Sequence, residues 1–277
     1  MAAGPLGLPY NKLCAVFIGL FSLLCLKKRM NIAYPDCVCR ATQLPSFCDN
    51  HGLAIVYIHK KMNAPLRSAD VIAFHDTQLS RLAWPHDAPQ FAAGQDSALW
   101  QAIADNHRNN CLLWEQEDLA RRTKVSDAEI TANKRAIDKY NQARNDATER
   151  VDEFLLIALG LVDAASAGTD APVAKVAPGA RLNSETAGSI CDRMSIMALK
   201  IKAMRAQTQR TDVDDAHRAG SAAKLARLTE QRNDLAACLD ALLADTAAGR
   251  AYFKVYRQFK MYNDPRFNPA LVAEAKS

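Results

Sequence analysis

Long spans of this chain carry no proline, and one carries no glycine either, and those absences constrain the fold more than any other feature. No Pro lies between Pro89 and Pro172 or between Pro178 and Pro265, and no Gly lies between Gly94 and Gly160. Ala, Leu, Arg, Gln and Glu fill these spans, and all propagate helices at little cost. The spacing predicts a first helix over Ser68–Ala83, stopped at Trp84-Pro85, and a second over Ser97–Arg122. A third begins at Ser126-Asp127-Ala128-Glu129, which has the pattern of a capping box, with Val125 and Ile130 at staple positions. It runs to Gly160, a rod of ~50 Å at 1.5 Å per residue. An Ala/Gly/Pro-rich linker over 160–182 separates it from a fourth helix, from Asn183 or Ser184 to Arg210. A fifth starts near Thr211 or Asp212, has Asp214 and Asp215 at its positive end, and stops at Gly249, a good C′ residue. No alternating strand run of useful length is visible. The expected fold class is all-α: a long antiparallel helical bundle with a short N-terminal helix and a C-terminal aromatic and basic segment.

The chain has 277 residues, 49% hydrophobic and 23% charged, enough apolar material for a sizeable core. Its formal charge of +5 is concentrated at one end. Residues 1–61 hold seven Lys/Arg against two acids, leaving 28 of each sign in 62–277. A neutral body disfavours duplex nucleic acid as a partner, because neutralising phosphates needs surplus cations. Five of eight cysteines fall in the first 48 residues, and Cys37-Val-Cys39 is too tight for a zinc pair. Cys111, Cys191 and Cys238 are read as reduced, buried thiols.

Residues 1–61 differ from the rest. Leu13–Leu26 is a 14-residue apolar run followed by Lys27-Lys28-Arg29. It is shorter than the ~20 residues of a spanning helix. Three readings stay open: an over-extended start preceding a native Met62-Asn63-Ala64-Pro65, a short signal-anchor that would give membrane attachment, and a structured extension. The expected organisation is an atypical extension over 1–61 and one helical-bundle domain over 62–277, with a cytoplasmic location.

Helical projection places polar groups on apolar stripes. The second helix carries Trp100, Ile103, Cys111 and Trp114, continuing into Asp118 and Arg121, with His107 and Asn110 inside the stripe and Glu117 at its edge. On the third, Arg144 lies at the centre of Ile130, Ile137, Tyr140, Val151 and Leu155. Lys134, Asp138, Asn141, Asn145, Glu149 and Asp152 follow one flank. The fourth has a clean seam of Ala187, Ile190, Met194, Met197, Ile201 and Met204, and a half-apolar opposite side of Glu185, Asp192, Ile196 and Leu199. The fifth includes His217 and Arg232 in its leucine stripe. Buried charges must be paired, hydrated or ligand-bound. Two readings follow: ion pairs that fix helix register, or a ligand cavity.

Glu115-x-x-Asp118 and Glu149-x-x-Asp152 each put two carboxylates three residues apart, a spacing that can hold Mg²⁺ through oxygen ligands. The layout is similar to the all-α nucleoside triphosphate pyrophosphatases, and Mg²⁺ is the cofactor that likeness implies. Phosphate loops, Gly-x-Ser-x-Gly and His-Glu-x-x-His motifs are absent from the sequence. The segment Gly249–Pro265 interleaves Arg250, Lys254, Arg257 and Lys260 with Tyr252, Phe253, Tyr256, Phe259 and Tyr262. It reads as a terminal amphipathic helix docking its aromatics, or as a place to stack a base and hold a phosphate.

The order of several motifs identifies a resemblance. Leu112-Leu-Trp-Glu-Gln-Glu-Asp-Leu-Ala-Arg-Arg122, Ser126-Asp127, Lys134-Arg-Ala-Ile-Asp138, Asn141-Gln-Ala-Arg-Asn-Asp146 and Glu149-Arg-Val-Asp152 resemble the bacterial family catalogued as domain of unknown function 4254. Asn183-Ser-Glu-Thr-Ala-Gly-Ser-Ile-Cys-Asp-Arg193, Gln231-Arg-Asn-Asp-Leu235 and Lys260-Met-Tyr-Asn-Asp-Pro265 agree, so the likeness covers about 65–277. The family carries no established activity. Genes of that family often lie among glycosyltransferase genes for surface polysaccharide, so the resemblance implies, by association, a glycosyltransferase as a candidate partner.

Two functions are therefore expected. In the first, a small phosphorylated or anionic metabolite, a nucleotide or nucleotide-sugar, is held by His107, Asn110, Arg121, Asn141, Arg144, Asn145, Arg232 and Lys260. Asp118, Asp152, Glu185 and Asp192 would then act on Mg²⁺ or as acid/base groups. In the second, the protein is a non-catalytic adaptor whose Glu185/Asp192 side docks a partner.

Overall fold

A side chain caps the start of each of the four long helices. In the computed structural model, which describes residues 65–95 and 97–277, Ser97 Oγ accepts from Trp100 N (3.4 Å) to open α2, Ala98–Leu119. Ser126 opens α3, Asp127–Ala158, through a complete capping box: its hydroxyl accepts from Glu129 N while the Glu129 carboxylate accepts from Ser126 N. Thr186 caps α5, Ala187–Thr208, and Asp214 caps α6, Asp215–Ala247. Gly249 follows α6 with φ 69°, the left-handed conformation that a helix terminus favours glycine for. A shorter helix, α1 (Ser68–Ser80), precedes them, and two more, α4 (Ala164–Ala167) and α7 (Pro269–Glu274), flank the C-terminal half.

Short turns fold α2 against α3 and α5 against α6 as two antiparallel hairpins, and these pack together through α5 against α2 and α3. The fold is the expected all-α bundle. Its apolar core lies where the start of α2, the end of α3, the start of α5 and the end of α6 meet under α1. Val71, Phe74, Ile103, Val151, Leu155, Ile190, Met194, Leu239 and Leu243 are buried there. The distal halves pack more openly, so Trp114, Met197, Met204, Leu225 and Leu228 are only half-buried.

Several boundaries and one whole segment differ from expectation. α1 ends at Ser80 rather than Ala83. α5 starts at Ala187, because Arg181–Leu182 (β1) instead pairs in parallel with Ala251–Tyr252 (β2), and Asn183 N donates to Tyr252 O at 2.8 Å. The 160–182 linker therefore holds α4 and β1. The aromatic and basic C-terminal segment is not an amphipathic helix. It runs extended from β2, and alternation buries Ala251 and Phe253, half-buries Val255 and Arg257, and exposes Lys254 and Gln258. Cys111 and Cys191 are buried as expected, and burial pushes the Cys111 thiol up to about 12. Cys238 is exposed, because the next residue, Leu239, takes the core-facing position on α6.

No helix among the described residues is long and apolar enough to cross a membrane. Leu13–Leu26 and Cys37–Cys39 lie outside the described residues.

Candidate functional site

Midway along the bundle, α2, α3 and α5 bring polar side chains together. On α2, Asn106 and Asn110 lie one turn apart, and both amides donate to the same Asp192 oxygen of α5, at 2.8 and 2.9 Å. Asn106 also reaches Thr148 Oγ1 of α3 at 3.0 Å. Asn110 donates to Ser195 Oγ at 3.1 Å, and Ser195 Oγ lies 2.8 Å from His107 Nδ1. On the other side of the ring, His107 Nε2 lies 3.9 Å from Cys111 Sγ. Asp192, expected on the second face of its helix, is the hub of this network.

Arg144 of α3 stands at the network's edge. Its guanidinium is mostly buried and approaches Asp192 Oδ2 only to 3.9 Å. One Nη donates to Asn145 Oδ1 at 3.0 Å, and its Nε is buried without a hydrogen-bond partner among the described residues. Arg232 Nε is likewise without a partner among the described residues, so what sets Arg144 apart is the cavity beside it. That cavity measures about 350 Å³ and is lined by Asn110, Leu113, Trp114, Glu117, Asp118, Arg121, Arg144, Ile196 and Leu199. The apolar part of that wall is the half-apolar side of α5 noted in the sequence. Arg121 is exposed and pairs with Glu117, and Asp118 is exposed at the rim.

Four of the twelve expected site residues, Asn110, Asp118, Arg121 and Arg144, thus share one cavity. Asp192 and Asn145 hold Arg144 from behind. The other six sit elsewhere or play other parts. His107 is fully buried, stacked on His75 and Trp84 (centroids 4.4 and 5.7 Å apart), and burial lowers its pKa to about 3. It supports Ser195 rather than lining the cavity. Asn141 is half-buried on α3. Arg232 is buried against Asp76 of α1 at 2.7 Å. Lys260 borders a separate open hollow with Gln258 and Asp264. Glu185 is at the surface, paired with Arg193. It shares no exposed face with Asp192, whose carboxylate is turned inward.

Asp152 is buried under the start of α5, where its Oδ1 accepts from Gly188 N at 2.6 Å. Burial raises its pKa to about 7, with Glu149 and Glu153 adding to the rise and the Gly188 hydrogen bond opposing it. The site does not fit Mg²⁺ through the Glu149/Asp152 pair. Glu149 is taken by Arg257 at 3.1 Å and by the backbone N–H of Gln258 at 2.9 Å, and Asp152 is spent on α5. Glu115 lies against His86 at 3.2 Å rather than joining Asp118. Among the described residues no group of three or more His, Cys, Asp or Glu side chains is placed to hold a metal ion.

The sequence reading missed Asn106, Thr148, Ser195 and the Arg257–Glu149–Glu153 cluster. The signal for the first was present: Asn106, His107 and Asn110 interrupt one apolar face within a single turn.

Comparison with known families matches residues 100–255 to the family described as protein of unknown function (DUF4254). The chain belongs to this family. The match begins inside α2 and ends just beyond β2, so it takes in the Asn106–Asp192–Arg144 network and the cavity it supports. It stops short of the Lys260–Pro265 motif. No curated protein and no solved structure matches the chain.

Proposed function

We propose that this DUF4254 protein binds a small anionic metabolite, a phosphorylated one such as a nucleotide or nucleotide-sugar, in the cavity between α2, α3 and α5. The observation that carries the reading is Arg144: a mostly buried guanidinium whose Nε has no partner among the described residues and whose ion pair is held at 3.9 Å, at the wall of a roughly 350 Å³ cavity. A ligand oxygen would complete its donors, while Leu113, Trp114, Ile196 and Leu199 would enclose the ligand's body. Arg121 at the rim would add a second cation by leaving Glu117. Asp192 and Asn145 would act as positioning residues. Asp118, exposed at the mouth, would meet a bound group as a base, with Glu117 beside it once Arg121 has left.

The test is a thermal-shift panel of nucleoside triphosphates and nucleotide-sugars, each with and without Mg²⁺, on the protein and on Arg144→Gln. Ligand binding to the folded state raises the melting temperature by mass action. A shift present in the protein and absent from a folded Arg144→Gln variant supports the reading. A shift unchanged by Arg144→Gln when Lys224→Ala/Arg227→Ala has removed the separate basic groove between α5 and α6, or no shift with any member, overturns it.

A second reading, docking of a partner protein such as a glycosyltransferase, is favoured by one observation. Tyr256, Phe259, Tyr262 and Phe267 of the C-terminal segment are exposed together with Met261. Polar substitution of Phe259 and Tyr262 that leaves binding of a purified candidate transferase unchanged would remove it.

A further inference from the structure

A second groove lies between α5 and α6, on the distal half of the bundle. It measures about 420 Å³. Met204 and Leu228 floor it and the half-buried Trp114 edges it. Three cations stand around that apolar floor: Lys200, one turn before Met204 on α5, and Lys224 and Arg227 on the α6 face that carries Leu228. The spacing 224, 227, 228 keeps the α6 groups on one helical stripe.

The charge arrangement is one-sided. No carboxylate lines the groove, and none of the three cations forms an ion pair among the described residues. Elsewhere in the bundle most arginines have an acidic partner. Like charges around a shared apolar floor repel, and an anion carrying at least two charges relieves that repulsion. A monocarboxylate would leave two of the three unsatisfied. A bare inorganic anion would leave the Met204–Leu228–Trp114 floor exposed to water.

The geometry points to a binding site for an organic diphosphate with an apolar body, its diphosphate held by Lys200, Lys224 and Arg227 and its body on Met204, Leu228 and Trp114. The groove is separate from the Arg144 cavity, although Trp114 borders both. The body can be an aromatic base or an aliphatic chain, since Trp114 offers an aromatic surface and Met204 and Leu228 an aliphatic one.

The experiment is isothermal titration of the full chain with ADP, farnesyl diphosphate and inorganic pyrophosphate at low salt. It is repeated on Lys224→Ala/Arg227→Ala and on Lys224→Arg, with circular dichroism to confirm unchanged helicity. Both substituted side chains are exposed, so the fold does not depend on them. At least one organic diphosphate binds more tightly than pyrophosphate, and which one identifies the body. The double variant weakens that binding by about ten-fold or more, Lys224→Arg retains it, and added salt weakens it. Arg144→Gln leaves it in place, which separates this site from the first cavity. Equal binding of pyrophosphate and both organic diphosphates overturns the proposal, as does undiminished binding in the double variant, or no binding of any of the three.

Discussion

Arg144 approaches Asp192 Oδ2 only to 3.9 Å, too far for a hydrogen bond, while the other oxygen, Oδ1, receives two amide donors, from Asn106 and Asn110. The carboxylate is thereby fixed, and the guanidinium is held near it without being consumed. Removing the carboxylate strands both asparagine amides and the arginine. Asp192→Ala is expected to cost about 1–3 kcal/mol, the penalty for buried polar groups left unpaired. Asp192→Asn keeps an acceptor and should cost less, while still loosening Arg144. Urea denaturation of the two variants measures the difference. Equal stability of Asp192→Ala and the parent would show that the network contributes nothing.

Gly188 has no room for a side chain. A β-carbon there would run into the carbonyl oxygen of Thr148 on α3 and stand 3.0 Å from the Asp152 carboxyl. Helix α5 thus enters the bundle against the backbone of α3, with Asp152 accepting from the Gly188 N–H. Gly188→Ala is expected to destabilise the protein by roughly 1–3 kcal/mol, the usual cost of overpacking, despite alanine's better helix propensity. The midpoint of denaturation reads it. A stabilised Gly188→Ala would mean the two helices separate freely at this point.

The helices were legible because Ser97, Ser126 and Gly249 mark their ends by local chemistry, and local chemistry survives in a one-dimensional string; the last long helix starts at Asp215, capped by Asp214, rather than at Thr211 or Asp212. Arg144 was legible for a similar reason: one cation in the middle of an apolar stripe must be answered by something. The partners that answer it were harder. Asp192 and Ser195 lie on a different helix, and only the rotation of α5 against α2 turns them inward. Asp152 shows the limit most clearly. Its position on the flank of α3 suggested a metal or acid/base role, yet the backbone of a helix 36 residues later takes its oxygen. The C-terminal segment was misjudged because Phe253, Val255 and Arg257 alternate with period two, a short signal that abundant aromatics and cations obscured.

Arg257 ties that segment to α3. Its guanidinium contacts Glu149 and Glu153 and donates to the carbonyls of Ala167 and Thr169 at 2.7 and 2.9 Å. Four partners from two parts of the chain converge on one planar group. Arg257→Ala leaves two carboxylates side by side without a counter-ion and should cost about 1.5–3 kcal/mol. Arg257→Lys should recover little, since an ammonium cannot reproduce the fork. Amide exchange across 250–260 should quicken in both variants while the α2–α3 core stays protected. Unchanged exchange would show that Phe253 alone anchors the strand.

Buried titratable groups set opposing slopes in stability against pH. His75 and His107 are buried and stacked, and burial holds both below the ordinary value of 6.5, His107 at about 3. Between about 3 and 6.5 the unfolded chain binds protons that the folded histidines refuse, so their contribution is complete above 6.5 and is lost as pH falls. Asp152 acts in the other direction. Its pKa is raised from 3.8 to about 7, so the folded protein keeps a proton that the unfolded chain has released, and that contribution is lost as pH rises toward 7. Two histidines outweigh one aspartate, so from these groups stability should climb from pH 4 to a maximum near 6.5, by on the order of 1 kcal/mol per unit for the net proton. His107→Gln should flatten the acid limb, and Asp152→Asn should steepen it by removing the opposing term. Urea midpoints measured from pH 4 to 8 give the profile. Stability that rises toward pH 4 would mean the imidazoles are protonated in the folded bundle, and the neutral His75–His107 stack would be wrong.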